Sequence, residues 1–177
     1  MVGYVRRSFS LGGGSVKLPH AADKITHSMP SPLALSESLS LLASGLFAGA
    51  ALYISFVEHP ARMQCGTTIA LTQFAPTYKR ATIMQASLAA LGTLAAMAAW
   101  LQGAPATWLI GGLLLGTVIP FTLIVIVPTN NRLLDPSLDK YSALALQLLH
   151  RWAKLHAVRS ALSLASFLVF LFAAIWR

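Results

Sequence analysis

From Leu33 to Val57 the chain runs for 25 residues with one charge, Glu37. That stretch constrains the fold more than any motif inside it. At about 1.5 Å per residue, a helix of this length covers the roughly 30 Å of hydrocarbon in a bilayer. Three similar stretches follow: Ala81 to Leu101 and Pro105 to Val127 carry no charge, and about Ala157 to Trp176 carries only Arg159. In hydrocarbon the backbone has to satisfy its own hydrogen bonds, so each stretch is expected to be a helix. The expected fold is therefore all-α, an integral membrane four-helix bundle, with domain bounds of 31–177 and spans at about 33–57, 81–101, 105–127 and 157–176. Composition agrees, because only 10% of the 177 residues are charged where soluble domains carry about 25%.

The connections follow from local chemistry. Ser31-Pro32 is a good N-cap and first-turn pair. Gln102-Gly103-Ala104 leaves room only for a tight turn, so spans two and three form an antiparallel hairpin. Pro60 is expected to stop the first helix at His59, with residues 60–80 as a loop, and Pro120 to bend the third span. Ser142 to Leu155 reads as an additional helical stretch before the fourth span. If helix continues through it, Trp152, His156, Arg159, Ser163 and Ser166 share one face. Ser40, Ser44, Ala48, Ala51 and Ser55, with Gly45/Gly49 and Gly112/Gly116, supply small residues for close helix contact.

Residues 1–30 differ from the rest. Arg6, Arg7, Lys17 and Lys24 face only Asp23, and Gly12 to Gly14, Pro19 and Pro30 argue against a stable helix. This leader is expected to be disordered, either as a targeting segment or as an extension upstream of a start at Met29. The formal charge of +8 is spread between apolar spans and forms no basic patch with interleaved aromatics. It fits a chain oriented in a bilayer and gives no support for nucleic-acid binding. The loops containing Arg62, Lys79, Arg80, Arg132, Lys140, Arg151 and Lys154 are expected on the cytoplasmic side, opposite the uncharged 102–104 turn. The single cysteine, Cys65, excludes an intramolecular disulfide, and no zinc-type Cys/His spacing occurs.

An up-and-down path brings several reactive side chains to one membrane face. Glu58, His59 and Arg62 come from the end of span one, Asn130 and Asn131 from the end of span three, and Trp152, His156 and Arg159 from the start of span four. Imidazoles with an unperturbed pKa of about 6.5 are natural proton acceptors. Arg159, just inside an apolar span, requires a partner such as Glu58 or an anionic ligand. Two readings stay open on these residues: a site, or a structural Glu58 to Arg159 ion pair locking spans one and four.

At these positions the chain resembles the anthrone oxygenase-like family of small membrane proteins. The resemblance covers roughly residues 33–175 and rests on Val57 to Arg62, Pro76 to Thr82, Pro120-Phe121-Thr122, Pro128 to Leu134 and Trp152 to Arg159. It implies oxidation of an anthrone to an anthraquinone by molecular oxygen, a monooxygenase reaction without flavin or metal. Such chemistry needs a base, an anion stabiliser and a dry pocket. His59 or His156 would be the base, with Glu58 beside them. Arg159 with Asn130 would hold the oxyanion, Trp152 would stack on the substrate, and Asn131 and Arg62 would complete the pocket. Expected partners are lipid, a hydrophobic phenolic or quinone-precursor substrate and oxygen, with homo-oligomerisation left open. The rival readings are a redox protein binding haem or a metal through His59 and His156, and a non-enzymatic membrane subunit or carrier.

Overall fold

A computed structural model describes residues 29–176, and the regular structure among them is entirely helical. Four helices are long and apolar enough to cross a membrane: α1 (Pro32–Gln64), α2 (Thr67–Leu101), α3 (Ala106–Leu133) and α4 (Ala143–Ile175). They form an up-and-down ring in which α1 and α3 each pack against α2 and α4 and scarcely touch one another. The expected all-α membrane bundle is the fold of this chain. The basic leader before Met29 lies outside the described residues.

The starts and turns have local causes. Ser31 Oγ accepts the Ala34 N–H at 3.1 Å, and Ser142 Oγ accepts the Ala145 N–H at 3.1 Å. Gly66 and Gly103, at φ +92° and +98°, make the two tight turns that reverse the chain. In the α3 to α4 connection, Asp135 accepts hydrogen bonds from the Ser137 hydroxyl and N–H at 2.7 and 2.8 Å, which hold its carboxyl below the usual pKa.

Several expected boundaries are corrected. Helix does not stop at His59; it continues to Gln64, and residues 67–80 belong to α2, which carries Pro76 in its interior. Likewise α3 passes Pro128 to reach Leu133, whereas the helical stretch expected at 142–155 is present and runs without a break into span four. The reason in α1 and α3 is a widened π turn placed just before the proline. His59 N–H donates to the Ile54 carbonyl and Val127 N–H to the Thr122 carbonyl, each five residues back. A wider turn re-aims the carbonyls that a proline would crowd, so the helix survives with altered pitch. Both π turns lie at the same end of the bundle.

At 33 residues, α1 is about 50 Å long, against roughly 30 Å of hydrocarbon. The surplus belongs to the end away from the 102–104 turn, where Gln64, Gln73, Lys79, Arg80, His150, Arg151 and Lys154 are exposed. That end has its own core of Leu71, Phe74, Ile126, Leu149 and Trp152. The opposite end closes on Ala96, Ala99, Trp108 and Phe170. There, close contact leaves no room for side chains: a Cβ on Gly111 would lie 2.5 Å from Phe170, and one on Gly112 2.8 Å from Ala96. The first GxxxG is only half used, because Gly45 abuts Phe167 whereas Gly49 meets nothing within 4 Å.

Candidate functional site

The site is built on α4. Its 3.6-residue period puts Trp152, His156, Ser160, Ser163 and Ser166 on one buried face, with Arg159 partly buried beside them. Trp152 is the common neighbour of the cluster. Its indole stacks on His156 at 4.8 Å, meets His59 at 5.3 Å, receives the edge of Phe74 at 5.5 Å, and lies 5.8 Å from the Arg62 guanidinium carbon. The ring is thus packed on several sides by side chains from α1, α2 and its own helix.

Arg159 does not make the Glu58 pair that the sequence left open. Glu58 does not reach Arg159; it pairs with Arg62, one helical turn away on α1. Arg159 instead donates to the Gln85 amide oxygen on α2, and its guanidinium carbon sits 5.3 Å from the Phe47 ring. No carboxylate among the described residues pairs with Arg159. The ion pair proposed to lock spans one and four is thus replaced by a short-range pair within α1 and a cation-amide contact between α2 and α4. The geometric cause is the uninterrupted α1 helix, which puts Glu58 and Arg62 four residues apart on neighbouring turns.

Two cavities meet at Arg159. The inner one is a recess of about 30 Å³ lined by Arg62, Asn130, Trp152, His156, Arg159 and Gln85, among others. The outer one is a slot of about 130 Å³ between α2 and α3, walled by Ala86, Ala89, Val118, Ile119 and Leu123 and floored by Phe47 and Arg159. Tyr78, Thr82, Gln85 and Arg159 line both. The slot opens where the close Gly112 to Ala96 contact gives way to the π turn of α3, and Leu123 on its rim is 64% exposed on the apolar outer surface. Its mouth therefore faces the lipid.

Of the residues singled out from sequence, His156, Arg159, Asn130, Trp152 and Arg62 converge on the recess. Glu58, His59 and Asn131 line neither cavity: Glu58 faces a lateral groove with Tyr53 and Arg80, His59 packs on Trp152, and Asn131 is exposed. Asn130, two residues beyond Pro128, is buried, as is Arg62, two beyond Pro60. Arg62 Nε, Gln85 Nε2, Asn130 Oδ1 and Arg159 Nε are all buried without a hydrogen-bond partner among the described residues. Leaving such groups unpaired costs about 1–3 kcal/mol each, and their convergence on one recess makes it the candidate site. Among the described residues no group of three or more His, Cys, Asp or Glu is placed to hold a metal. A bis-imidazole haem site also fits poorly, since both imidazoles pack on the Trp152 ring and only His156 reaches open space.

Gln85 is a polar residue within the uncharged span two, yet nothing in its spacing ties it to Arg159. Tyr78 and the pair Ser55 and Ser160 were likewise missed as site residues. Ser55 Oγ lies 3.1 Å from His156 Nδ1 and 2.9 Å from Ser160 Oγ, across the α1 to α4 contact.

Fold and cavities together define the class: a multi-pass membrane helix bundle with a polar recess buried beside a lipid-facing slot. The chain belongs to the anthrone oxygenase family, whose model matches residues 74–169, more than half its length. The match contains Gln85, Asn130, Trp152, His156 and Arg159 and ends short of the α1 residues. No curated protein and no solved structure matches the chain.

Proposed function

We propose that the protein oxidises an anthrone-like, lipid-soluble phenolic substrate with molecular oxygen, the protein supplying a base and an anion site and no redox group. The observation that carries this reading is the meeting, at one buried point, of an imidazole and a guanidinium without a carboxylate partner, at the inner end of a lipid-facing slot. The substrate's flat apolar body comes laterally from the bilayer. An aliphatic cavity of about 150 Å³ holds benzene, so the 130 Å³ slot takes about one ring and leaves the remainder among acyl chains.

The residues then divide the work. His156 removes a proton from the doubly benzylic CH₂, and the electron pair of that C–H bond delocalises into an enolate. Arg159 Nε–H and the Gln85 amide N–H, both lacking partners, hold the developing oxyanion, an interaction that strengthens in a dry site. The enolate passes one electron to O₂, the radical pair joins through a new C–O bond, and His156 returns its proton to the peroxide anion. The hydroperoxide then gives its second carbon-bound hydrogen to His156 as a proton, and the electron pair of that C–H bond forms the C=O as hydroxide departs. Cleavage of the O–O bond releases water with the proton returned by His156. The sum is R₂CH₂ + O₂ → R₂C=O + H₂O. Trp152, Phe74 and Tyr78 exclude water from the recess and fix His156 in place.

The test is oxygen uptake by the purified protein in lipid nanodiscs with anthrone, followed by quantification of anthraquinone. The reading expects one anthraquinone per O₂, at a rate well above that of empty nanodiscs. Uptake no faster than with empty nanodiscs sinks it. In the same reading the recess end faces the cytoplasm. Exposed Cys65 in the α1 to α2 turn reports this directly: an impermeant maleimide should label it in inverted membrane vesicles and not in right-side-out ones.

A further inference from the structure

We infer that Ser55 and Ser160 set the tautomer of His156, placing the imidazole proton on Nδ1 and leaving Nε2 as the proton-accepting atom. This deepens the proposed reaction and rests on it only for the catalytic use of Nε2. It follows from counting protons across four contacts. Ser160 Oγ lies 3.1 Å from the Ala51 carbonyl oxygen, 3.2 Å from the His156 carbonyl oxygen and 2.9 Å from Ser55 Oγ. Ser55 Oγ in turn lies 3.1 Å from His156 Nδ1.

Carbonyl oxygens only accept, and a serine hydroxyl has one proton to give. If Ser160 gave its proton to Ser55, two carbonyls would face a lone pair at close range in a site where Ser160 is 3% exposed. Ser160 therefore shares its one proton between the two carbonyls in a bifurcated hydrogen bond, and the proton on the 2.9 Å serine to serine contact comes from Ser55. With that proton spent, Ser55 can only accept from the imidazole, so the hydrogen at the Nδ1 contact belongs to His156. Only this arrangement puts a proton on every serine and imidazole contact. The partner of one ring nitrogen fixes the state of the other, and Nε2 is left with its lone pair, with no hydrogen-bond partner among the described residues. Ser55 lies in the π turn of α1, which turns its hydroxyl toward α4 and away from the backbone bond that Ser40 makes to Ser36 in the same helix. Ser55 and Ser160 are positioning residues; neither lines the recess or the slot.

The experiment is ¹⁵N NMR of ¹⁵N-histidine-labelled full-length protein in detergent micelles, with the His156 signals assigned by difference against His156→Gln. The expected spectrum has a protonated, pyrrole-type Nδ1 and a bare, pyridine-type Nε2. The discriminating variant is Ser160→Ala, which removes the acceptor of the Ser55 proton and frees it for Nδ1, so the two nitrogen signals should exchange type. A purely packing role would leave them unchanged. Ser55→Thr, which keeps the hydroxyl, should retain the native pattern. A pyrrole-type Nε2 in the unmodified protein overturns the inference, as does a Ser160→Ala spectrum identical to the native one. Oxygen uptake with anthrone should fall up to about 10²-fold in Ser160→Ala, within the range for general-base catalysis. If the nitrogen signals exchange as expected while no form of the protein oxidises anthrone, the tautomer assignment stands and the oxygenase reading falls.

Discussion

The two ends of this bundle are built on opposite rules. At the 102–104 end the helices approach so closely that glycine is the only residue that fits, with Gly111 under Phe170 and Gly112 against Ala96. At the other end two π turns interrupt the regular pitch, two cavities open, and four polar side chains line one recess with unpaired buried atoms. Tight packing adds dispersion energy that the bilayer cannot supply, because lipid is as apolar as the helix surface. Unpaired buried polar groups give that stability back. The difference teaches that the closed end carries the fold while the open end gives up packing for buried unpaired polar groups, which the proposed reaction uses.

The largest effect that would break this division is at His156. His156→Gln should lower anthrone oxidation by about 10²–10⁴-fold with thermal unfolding in detergent little changed. His59→Gln should cost only a few-fold, since His59 lines neither cavity. Comparable losses in both would place the base outside the recess. Next comes Arg159→Met, expected to reduce the rate by about 10²–10³-fold while the melting temperature holds or rises, because the substitution removes a charge that no carboxylate among the described residues pairs with. A protein that unfolds instead would make Arg159 a structural residue and erase the contrast between the ends.

Smaller effects belong to the closed end. Gly111→Ala puts a carbon 2.5 Å from Phe170 and should destabilise by about 1–3 kcal/mol, read from the denaturant midpoint, with activity per folded molecule intact. Smallest is Gly49→Ala, where the new Cβ meets nothing within 4 Å. Helix propensity alone predicts a gain of up to about 1 kcal/mol. A large loss there would show that Gly49 contacts a partner, such as a second copy of the chain.

The number of helices, their alternating path and their membrane setting were readable from the chain, because apolar length is a local property and hydrocarbon punishes every alternative to helix. The shared face of Trp152, His156 and Arg159 was readable as well, since helical period needs only residue spacing. Two misreadings came from local rules applied where tertiary packing overrode them. Pro60 looked like a helix stop and span three was expected to end at 127, but a π turn before Pro60 and another before Pro128, supported by neighbouring helices, carried the chain through. That continuation decided which way Glu58, Arg62 and Asn130 point. Partner choice between helices was decided only in three dimensions: Gln85 and Arg159 stand 74 positions apart, and Ser55 and His156 stand 101 apart. No periodicity connects such residues. Their meeting depends on the rotation and depth of each helix in the bundle, which the packed glycines of the closed end set and the sequence alone leaves free.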